Sequence, residues 1–321
     1  MKNDLTIPVD PETTHWGYFD PARPAVTWIE PGDNVRIETV SGGETMLPPT
    51  PMTTLPSHRE VIAKVTRRME PGHILTGPVG INGASPGDVL SVHVHEIELL
   101  SDWGWNLIRP LSGVLPEDFD STRVLHIPID GVARTAALPW GVTLPLNPFF
   151  GVMGVAPPDH WGVQSSIVPR AFGGNIDCKL LGSGATLHLP VFQPGGLFSC
   201  GDGHANQGDG EVCLTAIETC MAGVFSFEVL AGAASDMPGP WMPWAETADL
   251  FITFGIDVVL DAAAKQALRA MIRLITSRSN LTREDAYTLC SIAADMRVTQ
   301  LVNQHKGIHV VLPKSTFDPN P

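Results

Sequence analysis

Apolar and polar residues alternate in three short stretches of the chain, and each stretch follows a turn rich in proline or glycine. The stretches are residues 34–40, 89–95 and 185–191, and the turns before them are residues 31–33, 86–88 and 182–184. Side chains on a β-strand point alternately to opposite faces, so this pattern is typical of antiparallel strands with one buried face. The pattern predicts a mainly β protein in which antiparallel strands pack in a sandwich-like arrangement.

Near the C-terminus the apolar residues change to the spacing of α-helices. Residues 261–280 predict one helix, with Asp261 as its N-cap. A second helix is predicted from Thr282, because Thr282 and Asp285 resemble a capping box. The apolar face of this second helix would comprise Ala286, Leu289, Ile292, Ala293 and Met296. A strand-like run at residues 307–313 follows, so the prediction is a β fold with a C-terminal helical hairpin.

The length and composition set the number of domains. The chain has 321 residues, of which 43% are hydrophobic and 17% charged, enough apolar material for one large domain or two moderate ones. We expect a single domain over residues 1–321. A division into an N-terminal β part, residues 1–180, and a C-terminal β part with helices, residues 181–321, stays open.

The charge balance excludes some classes of partner. The chain carries 20 basic and 34 acidic residues, a formal net charge of −14. Such a field repels phosphate backbones and anionic membrane surfaces, so we expect neither nucleic acid nor membrane as a partner. The first 20 residues lack the apolar core of a secretory signal, and no apolar run is long enough to span a bilayer. We therefore expect a cytoplasmic protein.

Residues 201–211, GDGHANQGDGE, combine three carboxylates, one imidazole and four glycines. In an extended chain, residues two apart face the same way, which pairs Asp202 with His204 and Asp209 with Glu211. Convergent carboxylates repel each other unless a cation, a shared proton or a donor lies between them. The segment thus fits a divalent metal site or a carboxyl pair for acid and base work. An acidic solvated turn fits the same residues, and both interpretations stay open here.

Three further segments carry candidate residues. His73 precedes a Thr-Gly-Pro turn and could bind metal or serve as a hydrogen-bonded structural residue. Residues 147–158 are apolar, with small residues at the turns, and fit either a pocket wall or ordinary core. Glu246 follows a Trp/Pro-rich stretch, where burial would raise its pKa.

Several blocks of the chain, taken in order, resemble the acetamidase/formamidase family of short-chain amide hydrolases. The blocks are residues 73–88, 149–158, 169–181, 187–212 and 245–255. They cover most of the chain, and GDGHANQGDGE is the most specific of them. The segment Val40–Gly43 departs from the pattern, because it lacks the acidic residue expected there. The N-terminal edge of the site therefore differs from the family's pattern, and the preferred substrate does not follow from the resemblance.

The resemblance implies hydrolysis of formamide, acetamide or a similar small aliphatic amide to ammonia and a carboxylate. It also implies a β-sandwich-like fold with added helices, a homo-oligomer and a divalent metal, for which we expect zinc. Asp202, His204, Asp209 and Glu211 match the family's acidic-histidine block. His73 matches its turn histidine, and Glu246 matches its late glutamate.

We hypothesise a water-based mechanism for this site. An amide resists water at neutral pH unless the water is activated or the carbonyl oxygen is polarised, and a metal does both. Asp202 and His204, with His73, would hold the ion, and Glu211 or Glu246 would transfer the proton. Asp209 completes the catalytic set. The residues expected to contact substrate are Asn147, Met153 and Gly154.

Two other functions stay open. Cys200 or Cys213 could act as a nucleophile and form an acyl-enzyme, which requires a lowered thiol pKa. The odd number of cysteines, five, and the absence of a C-x-x-C pair indicate neither a disulfide framework nor a cysteine-type zinc site. Alternatively, the chain could be a non-catalytic member of the fold that binds a small ligand.

Overall fold

The computed structural model describes residues 5–316 and contains 22 strands and three α-helices in that range. In chain order the strands are β1 (Leu5–Ile7), β2 (Thr14–Trp16), β3 (Tyr18–Phe19), β4 (Thr27–Ile29), β5 (Val35–Thr39), β6 (Ile74–Ile81), β7 (Val89–Leu99), β8 (Trp103–Ile108), β9 (Arg123–Asp130), β10 (Thr135–Ala137), β11 (Thr143–Pro145), β12 (Phe149–Gly154), β13 (Gln164–Ser165), β14 (Gly173–Asn175), β15 (Thr186–Pro190), β16 (Phe198–Asn206), β17 (Ile217–Thr219), β18 (Met221–Leu230), β19 (Trp244–Glu246), β20 (Leu250–Asp257), β21 (Asp295–Gln300) and β22 (Lys306–Pro313). The helices are α1 (Pro56–Lys64), α2 (Leu260–Arg278) and α3 (Arg283–Ala293).

These strands form two large sheets and one small one. The nine-stranded sheet has the order β1-β5-β18-β7-β15-β19-β20-β22-β21. The eleven-stranded sheet has the order β11-β10-β9-β8-β17-β16-β12-β14, with β6 joining β16 and with β2 and β4 joining β6. Strands β3 and β13 form a separate pair. Each large sheet combines strands from before and after residue 180, and the domain assignment itself stays a prediction.

The two large sheets share one apolar core. Val35 and Ile37 on β5 are fully buried, while Arg36 between them is partly exposed. They belong to the same buried cluster as Leu75 on β6 and Phe150 on β12, which come from the other sheet. A core made by side chains from two facing sheets is the arrangement of a β-sandwich. The predicted fold class, mainly β with a C-terminal helical hairpin, is confirmed.

The alternating stretches correspond to β5, β7 and β15, so the three predicted strands are confirmed. Strand β7 continues to Leu99, beyond the predicted stretch. The strand-like run near the C-terminus corresponds to β22. Strand β6 shows no alternation because all eight of its residues are buried.

Both predicted C-terminal helices form, with corrections at their ends. Helix α2 begins one residue before Asp261, so Asp261 lies in its first turn and not at the N-cap. Thr282 caps α3 as predicted, because its Oγ1 accepts a hydrogen bond from the Asp285 backbone N–H at 3.1 Å. The spacing predicts Met296 on the apolar face of this helix, but this is wrong, because the chain becomes extended at Ala294 and Met296 lies in β21. None of the helices within residues 5–316 combines the length and apolar character needed to cross a membrane.

Candidate active site

Strand β16 carries residues 201–206 of the glycine-rich block and pairs with β17, β12 and β6 in the eleven-stranded sheet. A Cβ at Gly201 would lie 2.4 Å from the Ile74 carbonyl oxygen, and a Cβ at Gly203 would lie 2.7 Å from the Thr219 carbonyl oxygen. The glycines therefore allow neighbouring strands to approach closely. Asp202 lies between the two glycines, and His204 follows the second. Both side chains are buried, and His204 Nε2 lies 3.3 Å from Asp202 Oδ2.

Four carboxylates surround the imidazole of His204. Glu218 on β17 lies directly across the strand pair from His204, and its Oε1 is 3.1 Å from Nε2. Asp177, in the loop after β14, places Oδ1 3.9 Å from Nδ1. Glu211 follows β16, and one ligand atom from each of Asp177, His204 and Glu211 lies within 4.8 Å of the others. All five side chains are buried.

Three of these acidic residues have left-handed backbone conformations. The φ angles are +54° at Asp177, +57° at Asp202 and +48° at Glu211. A left-handed conformation is unfavourable for residues with a side chain, although Asp tolerates it better than most. Such positions concentrate at functional sites, where the surrounding structure holds them in place.

The protonation of His204 is set by its neighbours. Its Nδ1 lies 2.9 Å from Gln207 Oε1, and Gln207 Nε2 donates to the Asp177 carbonyl oxygen. This second hydrogen bond turns the amide so that its oxygen faces the ring, and Nδ1–H is therefore the donor. The other ring nitrogen, Nε2, lies 3.3 Å from Asp202 Oδ2 and 3.1 Å from Glu218 Oε1 without the geometry of a hydrogen bond to either. A neutral ring would present a lone pair to two anions there, which is favourable only with a proton or a cation between them.

The pKa values show the same excess of negative charge. Burial, together with the charge of Asp202, raises the pKa of Glu218 to about 8. Burial and the neighbouring Asp177 raise the pKa of Glu211 well above its usual range. Burial also raises the pKa of Asp177 to about 6. Burial alone would lower the pKa of His204, but the carboxylates of Glu218 and Asp202 outweigh it and raise that pKa well above its usual value.

Asp202 differs from the other carboxyl groups. Its burial favours the neutral form, but the nearby imidazoles of His73 and His204 outweigh burial and lower its pKa. His73 Nε2 lies 3.6 Å from Asp202 Oδ2, and Ser166 Oγ lies 3.0 Å from His73 Nδ1. The structure thus brings His73, Asp202 and His204 together.

The cluster borders a cavity of about 760 Å³. Asp202, Glu211 and Glu218 reach the cavity surface, and so does His73. Its walls include Trp16, Met46, Trp105, Leu107, Leu111 and Leu214. The segment Val40–Gly43 also lines it, although it lacks the expected acidic residue, and Ser41 Oγ donates to Glu218 Oε2 at 3.4 Å.

The structure places two of the predicted catalytic residues away from this cluster. Asp209 is exposed, and its Oδ2 lies 3.1 Å from Lys179 Nζ. Glu246 lies on β19 in the nine-stranded sheet, 3.2 Å from His188 Nε2 and 2.7 Å from Lys314 Nζ. The hydrogen bond with His188 and the charge of Lys314 outweigh burial and lower the Glu246 pKa to about 2. Neither residue lines the cavity.

The residues expected to contact substrate also lie outside the cavity lining. Asn147 is exposed, and its side-chain amide donates to the Lys179 carbonyl oxygen. Met153 is part of the buried core between the sheets. Gly154 packs so closely on β14 that an added Cβ would lie 2.8 Å from the Gly174 nitrogen.

Sequence reasoning missed four residues of this site: Asp177, Gln207, Glu218 and Asn303. Gln207 lies inside the glycine-rich block, so its position was a usable signal. Asp177 lies inside the block 169–181, but the sequence alone did not connect it with residues 202–211. Glu218 is brought in by strand pairing, and Asn303 by the turn between β21 and β22.

Two groups of three residues could hold a metal ion. They are Asp202, His204 and Glu218, and Asp177, His204 and Glu211. Several ligand atoms have no hydrogen-bond partner: Asp177 Oδ1, His204 Nε2 and Glu211 Oε2. Buried polar atoms of this kind are rarely left without a partner in folded proteins. Nitrogen and carboxylate oxygen donors in a compact set suit zinc and similar divalent ions, so these residues fit a metal.

The family model and the structural comparison identify the same protein family. The family model described as the Acetamidase/Formamidase family matches residues 4–163 and 160–319 of the chain. The chain is 29% identical to a crystal structure of an acetamidase from Bacillus halodurans, with a TM-score of 0.82. That superposition covers 97% of this chain and 99% of the acetamidase.

Two relatives are similar in sequence over shorter lengths. A formamidase from Methylophilus methylotrophus is 26% identical over 265 residues, covering 66% of this chain and 62% of the formamidase. An acetamidase from Mycolicibacterium smegmatis is 25% identical over 262 residues, covering 60% of each chain. The matched part is therefore less than two thirds of each of these two relatives.

Proposed function

The chain belongs to the acetamidase/formamidase family, and we propose that it hydrolyses a small linear amide to ammonia and a carboxylate at the His204 cluster. The names of its relatives support the reaction class. The observation that carries the proposal is the set of four buried carboxylates around one imidazole bordering an accessible cavity. Groups this strongly perturbed are typical of catalytic sites.

We propose that a divalent ion, with zinc as the expected one, is held by Asp202, His204 and Glu218. His73 lies at the edge of this group, 3.6 Å from Asp202. The Gln207 contact to Nδ1 supports this assignment, because a metal-binding histidine usually donates its other ring N–H to an oxygen that fixes the ring. A bound ion would supply polarisation of the amide carbonyl and a lower pKa for a water molecule.

Glu211 is the residue proposed to move the proton. It is buried, reaches the cavity, and has one oxygen without a partner. Its raised pKa suits a group that accepts a proton from the attacking water and then gives it to the departing nitrogen. Water adds to the carbonyl carbon, the C–N bond breaks, and the products are ammonia and the carboxylate. Glu246, the alternative base, is paired with His188 and Lys314 and is left out of this mechanism.

The cysteine mechanism receives less support. Cys200 is fully buried in β16, and its burial raises the thiol pKa, whereas a nucleophile needs a lowered one. Cys213 is partly exposed, contacts Asn106, and lies outside the lining of the main cavity. A homo-oligomeric assembly and a cytoplasmic location stay predictions.

The substitution Glu211→Gln tests the proton transfer. The amide side chain keeps the shape and cannot accept the proton, so kcat for ammonia release should fall by about 100-fold or more. Glu246→Gln is the matched control and should keep most of the activity. Equal activity of Glu211→Gln and the unmodified protein would remove Glu211 from the mechanism. A protein that binds small amides and never releases ammonia would instead be a ligand-binding member of the fold.

A further inference from the structure

The turn between β21 and β22 belongs to the nine-stranded sheet, yet it reaches the site in the other sheet. Residues 301–304 line the cavity together with Asp202, Glu211 and Glu218. Local sequence patterns do not indicate this, because the turn lies about 100 residues away from the glycine-rich block. The turn is therefore an element of the site supplied by the C-terminal region.

The turn is fixed by the buried side chain of Gln300. Its Oε1 accepts hydrogen bonds from the backbone N–H groups of Val302 and Asn303, at 2.9 and 3.0 Å. Its Nε2 donates to the His305 carbonyl oxygen at 2.7 Å. One side chain thus closes the turn at both ends, which leaves Asn303 little freedom.

The same turn is attached to the segment that carries Glu211. The Gly210 N–H donates to the Thr299 carbonyl oxygen at 3.0 Å, and the Leu301 N–H donates to the Gly210 carbonyl oxygen at 3.1 Å. Gly210 immediately precedes Glu211. The turn therefore fixes the backbone beside one carboxylate of the cluster while Asn303 contacts another.

Asn303 is buried, and its side-chain amide has two acceptors. Its Nδ2 donates to Asp177 Oδ2 at 2.5 Å and to the Asn175 carbonyl oxygen at 3.3 Å. The other carboxylate oxygen, Asp177 Oδ1, has no hydrogen-bond partner and lies 3.9 Å from His204 Nδ1. The amide of Asn303 thus occupies one oxygen of Asp177 and leaves the other directed into the cluster.

We propose that Asn303 is a positioning residue that directs Asp177 Oδ1 toward the ion proposed at Asp202, His204 and Glu218, so that Asp177 serves as an additional ligand of that ion. The inference rests on the proposed metal site and adds a residue that touches no ion itself. Outer hydrogen bonds of this kind fix the direction of a ligating carboxylate, and their loss typically weakens metal affinity by about 10- to 100-fold. Asparagine suits the position because its amide donates without adding a charge.

The test is the affinity of the metal-free protein for Zn²⁺, measured by competition with a chelating dye. Asn303→Leu removes the donor at similar size and should weaken binding by about 10-fold or more. Asn303→Ser keeps a hydroxyl donor and should recover part of that affinity. His305→Gln, on the same turn and outside the cavity lining, is the control and should bind as the unmodified protein does.

The outcomes separate this inference from the proposed function. Unchanged affinity in Asn303→Leu, with the unmodified protein binding Zn²⁺, would overturn the role of Asn303 and leave the metal site standing. An unmodified protein that binds no Zn²⁺ would overturn the metal site and the inference together. Thermal unfolding of each metal-free variant shows whether it is folded. If Asn303→Leu is not, Asn303→Ala, which also lacks the donor, takes its place, and an affinity equal to that of His305→Gln overturns the role.

Discussion

The chemistry of this chain depends on a buried imidazole that is outnumbered by carboxylates. His204 is fully buried, with Glu218 and Asp202 within 3.3 Å of its Nε2. Placing so many anions out of water is unfavourable unless a positive charge balances them. A proton on His204 supplies one such charge, and a divalent ion supplies two. The cluster is therefore a place where protons and cations compete.

Gly151 leaves the space in which these side chains meet. An added Cβ would lie 2.4 Å from Asp177 Oδ1, 2.6 Å from Asp202 Oδ2 and 2.8 Å from His204 Cε1. The substitution Gly151→Ala should displace the cluster and lower kcat/KM by about 100-fold, because catalytic groups tolerate little misplacement. The measurement is the rate of ammonia release at several amide concentrations.

Gly208→Ala is the matched control for this substitution, because no atom lies within 4 Å of a Cβ added there. It should leave kcat/KM unchanged. Full activity in Gly151→Ala would mean that the site lies elsewhere.

We expect Glu246 to contribute to the stability of the fold, and the pH dependence of unfolding tests this. Its pKa is lowered to about 2 by the His188 hydrogen bond and by Lys314, against an ordinary value of 4.5. A lowered carboxyl pKa stabilises the fold above the unfolded pKa, and this contribution is lost as the pH falls toward 2. Because Glu246 and Lys314 are only partly buried, solvent screening reduces the contribution of this shift to roughly 1 kcal/mol at neutral pH.

The prediction is that Glu246→Gln lowers the free energy of unfolding at pH 7, and that the difference from the unmodified protein shrinks between pH 5 and pH 2. Denaturant unfolding at a series of pH values measures this. A difference that stays constant across that range would show that the ion pair contributes no pH-dependent stability.

At the scale of elements, the helices stabilise the strands that place the C-terminal turn. Helix α2 packs on β20 and β22, and its approach to β20 requires a glycine. A Cβ at Gly255 would lie 1.8 Å from the Ala263 carbonyl oxygen in that helix. The backbone of α2 would have to move to accept any side chain.

The substitution Gly255→Ala should therefore lower the free energy of unfolding by about 3 kcal/mol or more. Gly131→Ala is the control, because a Cβ there meets no atom within 4 Å. Denaturant unfolding of both variants checks the expectation. Equal stability of the two would contradict the close packing of α2 on β20.

Local patterns predicted some elements and could not predict others. β5 was identifiable because its apolar residues are buried and the residues between them are partly exposed. In β7 and β15 the alternation is in the sequence, although most of the residues in the predicted stretches are buried. Strand β6 has both faces buried, so no alternation marks it. Met296 kept the helical spacing by chance, while the chain had already entered β21. Short-range spacing does not record where a helix ends when no strong stop signal follows.

The same limit applies to the site. Asp202 and His204 are two residues apart on one strand, so their proximity follows from strand geometry. Glu218 reaches His204 only through the pairing of β17 with β16, and Asn303 reaches Asp177 across the two sheets. The family resemblance supplied the block and the residue types, and its prediction of the family is confirmed.

At the scale of the whole molecule, both large sheets contribute residues to the site. The eleven-stranded sheet holds most of the cluster, and the nine-stranded sheet contributes the turn that closes it. The cavity beside it, about 760 Å³, lies in the size range of sites for small organic ligands. The net charge of −14 adds a field that favours cations over anions at such a site.

The most direct test of this account is ammonia release from formamide and acetamide before and after treatment with a chelator, with metal content measured on the same sample. The account predicts that activity falls together with the bound ion and returns when one divalent ion, zinc foremost, is added back. Full activity in metal-free protein, or no ammonia from either amide in protein loaded with metal, would contradict it.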